Sequence, residues 1–170
     1  MNGDSAEITG IGLVTPVGSD IDGFFEAVCK GQSGLQRPPE GHPAWPDLDV
    51  AGLAPAIDPA SVLPPKETRA VDRFVLLGLL AAERALADAG LDVGRDADPY
   101  RVAVVAATGG GGLETFEEYS HRRFERGRAL PASRRCGNQQ NHWVPFRRST
   151  QLLSESRRRS RCVLLVTDVR

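Results

Sequence analysis

Cysteine is scarce in this chain: Cys29, Cys136 and Cys162 are odd in number and irregularly spaced, so they form neither a disulfide framework nor a paired metal-ligand pattern. Long apolar runs are missing as well. The longest near-apolar stretch is Phe74 to Ala82, against roughly 20 residues for a bilayer-spanning helix. No basic-then-apolar leader opens the sequence, which argues against a secretory signal. The expectation is a cytoplasmic protein without a membrane segment. At 170 residues the chain has room for one ordinary domain with a core, not for two large ones.

The formal net charge of −1 conceals an asymmetry. Residues 1–128 hold 20 acidic and 12 basic side chains, a net of −8, whereas residues 129–170 hold two acidic and nine basic ones, a net of +7. All nine bases of the second part are arginine. Such a split marks either a basic interaction tail or a change of origin within the chain.

The first part is patterned. Glu7 to Pro16 is a β-branched, apolar run ended by proline and predicts a short buried strand leading into a turn. Ser19 or Asp20 can cap a helix over Ile21 to Lys30, whose Ile21, Phe24, Phe25 and Val28 share one face. Residues 35–65 are proline-rich loop, with a small strand at Asp49 to Leu53. One long helix is predicted after Pro64-Pro65, from Lys66 to about Ala89, apolar nearly all round from Phe74 to Ala82 and stopped by Gly90. Arg101 to Thr108 reads as a buried strand, Gly109 to Gly112 as a turn and Leu113 to Arg128 as a charged helix. This order is α/β, and its long crossovers imply parallel strands. Beyond Arg128 no period of 2 or 3.6 persists, and only Cys162 to Val166 suits a strand.

Several motifs point to chemistry and stop short of it. Gly10-Ile-Gly12 after an apolar run suggests a dinucleotide turn, but Thr15 stands where the third glycine belongs and Pro16 follows. Gly109 to Gly112 could cradle a phosphate at a helix N-terminus, yet no Gly-Lys-Ser/Thr follows and Glu114 takes the last glycine position. Tight backbone packing accounts for both turns. Cys136, His142 and Cys162 lack chelating spacing, so no metal site is assigned. Cys29 in its amphipathic helix reads as a small core residue. Arg134, Arg135, Arg147, Arg148, Arg157, Arg158, Arg159 and Arg161, with Trp143 and Phe146 for stacking, could contact a nucleic acid. The lack of lysine there and of any module pattern argues against that reading.

Taken together, Ile8 to Gly18, Gly31-Gln-Ser-Gly34, Lys66-Glu-Thr-Arg69, Asp72-Arg-Phe74, Ala81 to Leu91 and Thr108 to Glu118 resemble, in order and spacing, the N-terminal part of a β-ketoacyl-acyl-carrier-protein synthase of the fatty-acid or type II polyketide kind. The resemblance implies a thiolase-like layered α/β fold, here an incomplete N-terminal half over residues 1–128. Residues 129–170 are then a divergent or out-of-frame, Arg-rich tail, expected to be poorly ordered. It implies a homodimer or heterodimer, acyl carrier protein as partner, and no cofactor beyond the phosphopantetheine carried by the substrates. In the family a cysteine at a helix N-terminus takes the acyl group, and two histidines assist decarboxylation of a malonyl thioester.

The chain departs from that pattern where the chemistry lies. By the family's spacing the Thr-Ala-Cys nucleophile motif belongs near residues 163–168, where Leu164-Leu-Val-Thr-Asp-Val169 stands. Cys162 is close by but is followed by large residues, and the part that bears the two histidines has no counterpart here, so no catalytic residue is assigned. Lys66 and Arg69 match two basic positions on which the family docks its carrier protein, and Ala70 replaces a third; ordinary helix-surface charges explain the two bases equally well. The leading reading is an inactive ketosynthase fragment. A non-catalytic carrier-binding or heterodimer module and a nucleic-acid-binding tail are the alternatives. If the tail is out of frame, translating the encoding DNA from codon 129 in its other two frames recovers a Thr-Ala-Cys motif; its absence from both frames ends that idea.

Overall fold

The computed structural model describes residues 7–42, 47–68, 71–98, 102–109, 111–126 and 162–167. Its elements are helix α1 (Ile21–Cys29), strands β1 (Leu35–Gln36) and β2 (Ala51–Gly52), a single 3-10 turn at Pro59–Ser61, helices α2 (Pro65–Thr68) and α3 (Arg73–Asp88), strand β3 (Val102–Ala107), helix α4 (Leu113–Arg126) and strand β4 (Cys162–Thr167).

The core forms around α3. Val75, Leu76, Leu79 and Ala82 are buried together with Leu63, and Val62, Val71, Phe74 and Val104 pack against them. A helix that is apolar over most of its circumference must be covered on several sides, and the loop before α2, strand β3 and the N-terminal segment all lie against it. The helix is shorter than predicted. The single helix expected from Lys66 to about Ala89 is two, because Asp72 adopts extended backbone (φ −76, ψ 158) and starts α3 afresh.

β3 and β4 pair in parallel over their whole length, from Val102 opposite Cys162 to Ala107 opposite Thr167. The α/β order with a long crossover therefore holds, and β4 lies where Cys162 to Val166 suggested a strand. The poor order expected for the rest of the tail concerns residues outside the described ones. β1 and β2 form a separate two-residue antiparallel ladder.

The predicted strand over Glu7 to Pro16 does not form among the described residues. Its backbone groups bond instead to side chains of α3: Ile11 N–H donates to Asp88 Oδ2 at 2.9 Å, and Leu13 C=O accepts from the Arg84 guanidinium at 2.8 Å. The glycines explain why the segment lies so close. A Cβ on Gly12 would stand 1.9 Å from Ala81 O, and one on Gly10 2.3 Å from Ala85 O. Thr15 then closes the turn, its hydroxyl accepting from Val17 and Gly18 N–H and donating to Gly18 O.

α1 starts where predicted, with Asp20 Oδ2 accepting from Gly23 N–H at 2.8 Å, and ends before Gly31 at φ 69, a C-terminal stop that favours glycine. Its apolar face is not buried: only Ala27 is, while Phe25 is 68% and Val28 50% exposed. Cys29 is exposed too, so its assignment to the core is corrected. The amphipathic pattern identified the helix, but among the described residues that face is covered only in part: Ile21 and Phe24 are half-buried, whereas Phe25 and Val28 are exposed.

Gly12→Ala is expected to cost at least about 1–3 kcal/mol, as overpacking does, and to lower the melting temperature. Gly109→Ala, whose Cβ would meet nothing within 4 Å, serves as the control. Equal melting shifts for the two would refute the close approach of the N-terminal segment.

Candidate functional site

Each position singled out from the sequence has a definite place. The Gly10-Ile-Gly12 turn faces α3 rather than an open crevice, with its Ile11 N–H already on the Asp88 carboxylate and the glycines against Ala81, Ala85 and Ala89. Arg84 fastens the segment that follows the turn, donating to Leu13 O and, at 3.0 Å, to Ser19 O. The turn is a packing device and leaves no room for a pyrophosphate.

The second glycine turn follows β3 and opens α4 as predicted. Gly112 takes φ 83, and Phe116 N–H donates to its carbonyl at 2.9 Å. The N-terminal turn of α4 is occupied by the chain's own anion. Asp72, buried at 8% exposure, accepts the Thr115 hydroxyl and, at 3.5 Å, the Thr115 N–H. A carboxylate in that position takes the favourable end of the helix dipole and repels a second anion. Gly111 packs on the Phe74 ring, 2.8 Å from where its Cβ would be. Both turns are thus explained by packing, as the sequence suggested.

Among the described residues no group of three or more His, Cys, Asp or Glu could hold a metal, and no helix is long and apolar enough to cross a membrane. Cys162 opens β4 in register with Val102; it does not begin a helix. Cys136, His142, Trp143, Phe146 and the tail arginines proposed for phosphate contacts lie outside the described residues, as do Arg69 and Ala70. Lys66 is exposed on α2 and forms no ion pair with a described residue. Arg73, the first residue of α3, is engaged, donating to Ala54 O and Pro55 O at 3.0 and 2.8 Å.

Asp72, Arg84 and Asp88 are the groups that sequence reasoning passed over. Arg84 is half-buried among the alanines of α3, and a charge partly withdrawn from water needs hydrogen-bond partners. Asp72 gave no signal, because the sequence places it inside one continuous helix, where an aspartate reads as an ordinary polar residue. Glu83, also on α3, is exposed at the surface, and partial desolvation raises its carboxyl above the ordinary glutamate value. A raised carboxyl alone, with no charged partner contributing to the shift, does not make a site.

Comparison with known proteins defines first the class. The fold matches the ishigamide ketosynthase/chain length factor with a TM-score of 0.65 at 18% identity, over 93% of this chain and 39% of that one. It matches a β-ketoacyl synthase from Burkholderia phymatum with a TM-score of 0.61 at 23% identity, over 94% and 38%. These are thiolase-like ketosynthases, and the architecture is an incomplete N-terminal half of that fold.

Residues 4–144 match the N-terminal domain of the β-ketoacyl synthases, and the chain belongs to that family. It is 31% identical over 120 residues to 3-oxoacyl-[acyl-carrier-protein] synthase 2 of Vibrio cholerae, covering 71% of this chain and 29% of that protein. It is 39% identical over 111 residues to the tetracenomycin polyketide synthase ketoacyl synthase beta subunit of Streptomyces glaucescens, covering 63% and 26%. The chain therefore spans less than a third of the length of these relatives.

The sign of the Glu83 shift gives a pH test. A carboxyl raised in the folded state favours folding while it is protonated and loses that contribution as pH rises through the unfolded and then the folded pKa. Glu83→Gln is expected to melt above the parent chain at neutral pH and to match it below the ordinary glutamate range. A variant that melts lower than the parent at neutral pH would contradict this.

Proposed function

We propose that this chain supplies the N-terminal scaffold and a carrier-docking surface of a β-ketoacyl synthase, and that it catalyses no condensation by itself. The family reaction joins an acyl thioester to a malonyl thioester with loss of carbon dioxide. It requires a thiolate nucleophile, which a helix N-terminus favours by lowering the thiol pKa. The observation that carries the proposal is the place of Cys162, the cysteine nearest the expected nucleophile position, as the first residue of β4 opposite Val102. A strand start offers no such dipole.

For the partner, the neighbour solved as a type II polyketide acyl-carrier protein in complex with its ketosynthase matches this chain with a TM-score of 0.58 at 19% identity, which is a likeness of fold. The docking reading rests on Lys66, exposed on α2, and on Arg69, three residues further along the sequence. An acidic carrier would meet Lys66 at the protein surface, where such a charge contributes modestly.

Incubating the chain with an acyl-carrier thioester and weighing it intact is expected to show no acyl adduct; stoichiometric acylation of Cys162 would overturn the inactive reading. Titrating acyl carrier protein should show the Lys66→Glu/Arg69→Glu variant binding about three- to tenfold more weakly than the parent, the scale of exposed ion pairs. Equal affinities remove the docking surface.

A further inference from the structure

Asp72 is a buried carboxylate that does not serve the helix it precedes. It occupies the N-cap position of α3, yet its side chain makes no capping bond there. It reaches instead to Thr115, 43 residues on, whose hydroxyl and N–H both donate to it. No cation among the described residues pairs with it.

The need for this long reach lies in α4. Gly112 precedes that helix at φ 83, a left-handed conformation suited to glycine, and glycine has no side chain to satisfy the first-turn donors. Thr115 is the third residue of α4, the position whose N–H a capping side chain normally accepts. Asp72 supplies from another element the cap that Gly112 cannot. Phe74, two residues further into α3, covers Gly111 on the same turn, so the start of α3 grips both the turn and the helix it opens.

Besides this contact α4 has the buried Tyr119, which is itself engaged. Among its described side chains only Tyr119 is buried, whereas Phe116 is 53% and Phe124 89% exposed, and no α4 residue belongs to the core cluster. The geometry points to Asp72 as a clasp: this positioning residue docks α4 and the glycine turn onto the α3 core, and opening the Asp72–Thr115 contact releases α4 as a local unit while the core stays folded. Segments with few buried contacts open independently of the core in this way.

Backbone hydrogen exchange of the full chain, read by peptide, tests the clasp. Asp72→Ala should speed exchange across residues 113–126 by about ten- to a hundredfold, the factor expected for losing a hydrogen bond to a charged group, and leave residues 75–85 unchanged. Thr115→Val removes only the hydroxyl at nearly constant volume and should act in the same direction, which preserves the test if Asp72→Ala does not fold. The proposal is overturned if α3 and α4 accelerate together, if Thr115→Val changes neither, or if α4 in the parent chain already exchanges at the unprotected rate.

Discussion

A helix that is apolar on most of its surface cannot stand alone in water, and the described fold is arranged around that constraint. α3 places Val75, Leu76, Leu79 and Ala82 in the core with Leu63, and Val104 of β3 packs against them. Burial of such side chains contributes about 1.5–3 kcal/mol each, so every neighbour is positioned by how it covers this helix. The N-terminal segment covers it at backbone distance. That is possible only because Gly10 and Gly12 carry no Cβ toward Ala81 and Ala85.

Polar groups then complete what the apolar contact begins. Arg84 and Asp88 leave α3 to hold the backbone of the N-terminal segment. Asp72 leaves its start to hold α4, and Arg73 holds the loop at Ala54 and Pro55. The same bonds decide the functional reading of the glycine turns. One turn has its amide on Asp88, and at the other Asp72 sits where an anion would bind. Neither is available to a nucleotide, and the family assignment does not require one.

The apolar faces that remain open have a common character. Phe25 and Val28 on α1, and Phe116 and Phe124 on α4, are half or more exposed, although their spacing along each helix is that of residues meant for cover. Most of the length of the relatives lies outside the matched region, and the amphipathic pattern of α1 could not reveal this. It identified a helix with an apolar face correctly, and it placed Cys29 in a core that the described residues do not provide. Likewise Glu7 to Pro16 had the composition of a strand, but strand formation needs a partner edge. Here the side chains of α3 take the hydrogen bonds that a neighbouring strand would have taken.

By itself the sequence determined the α/β order, the buried helix, the Val-rich strand, the two glycine turns and the family, because periodicity, turn residues and spaced motifs are local quantities. Tertiary structure alone decided where the unlike charges go. Asp72 could cap its own helix or another, and Arg84 could face water or a backbone carbonyl. Such choices depend on which donors and acceptors the folded chain brings within about 3 Å, a distance that no spacing along the sequence encodes.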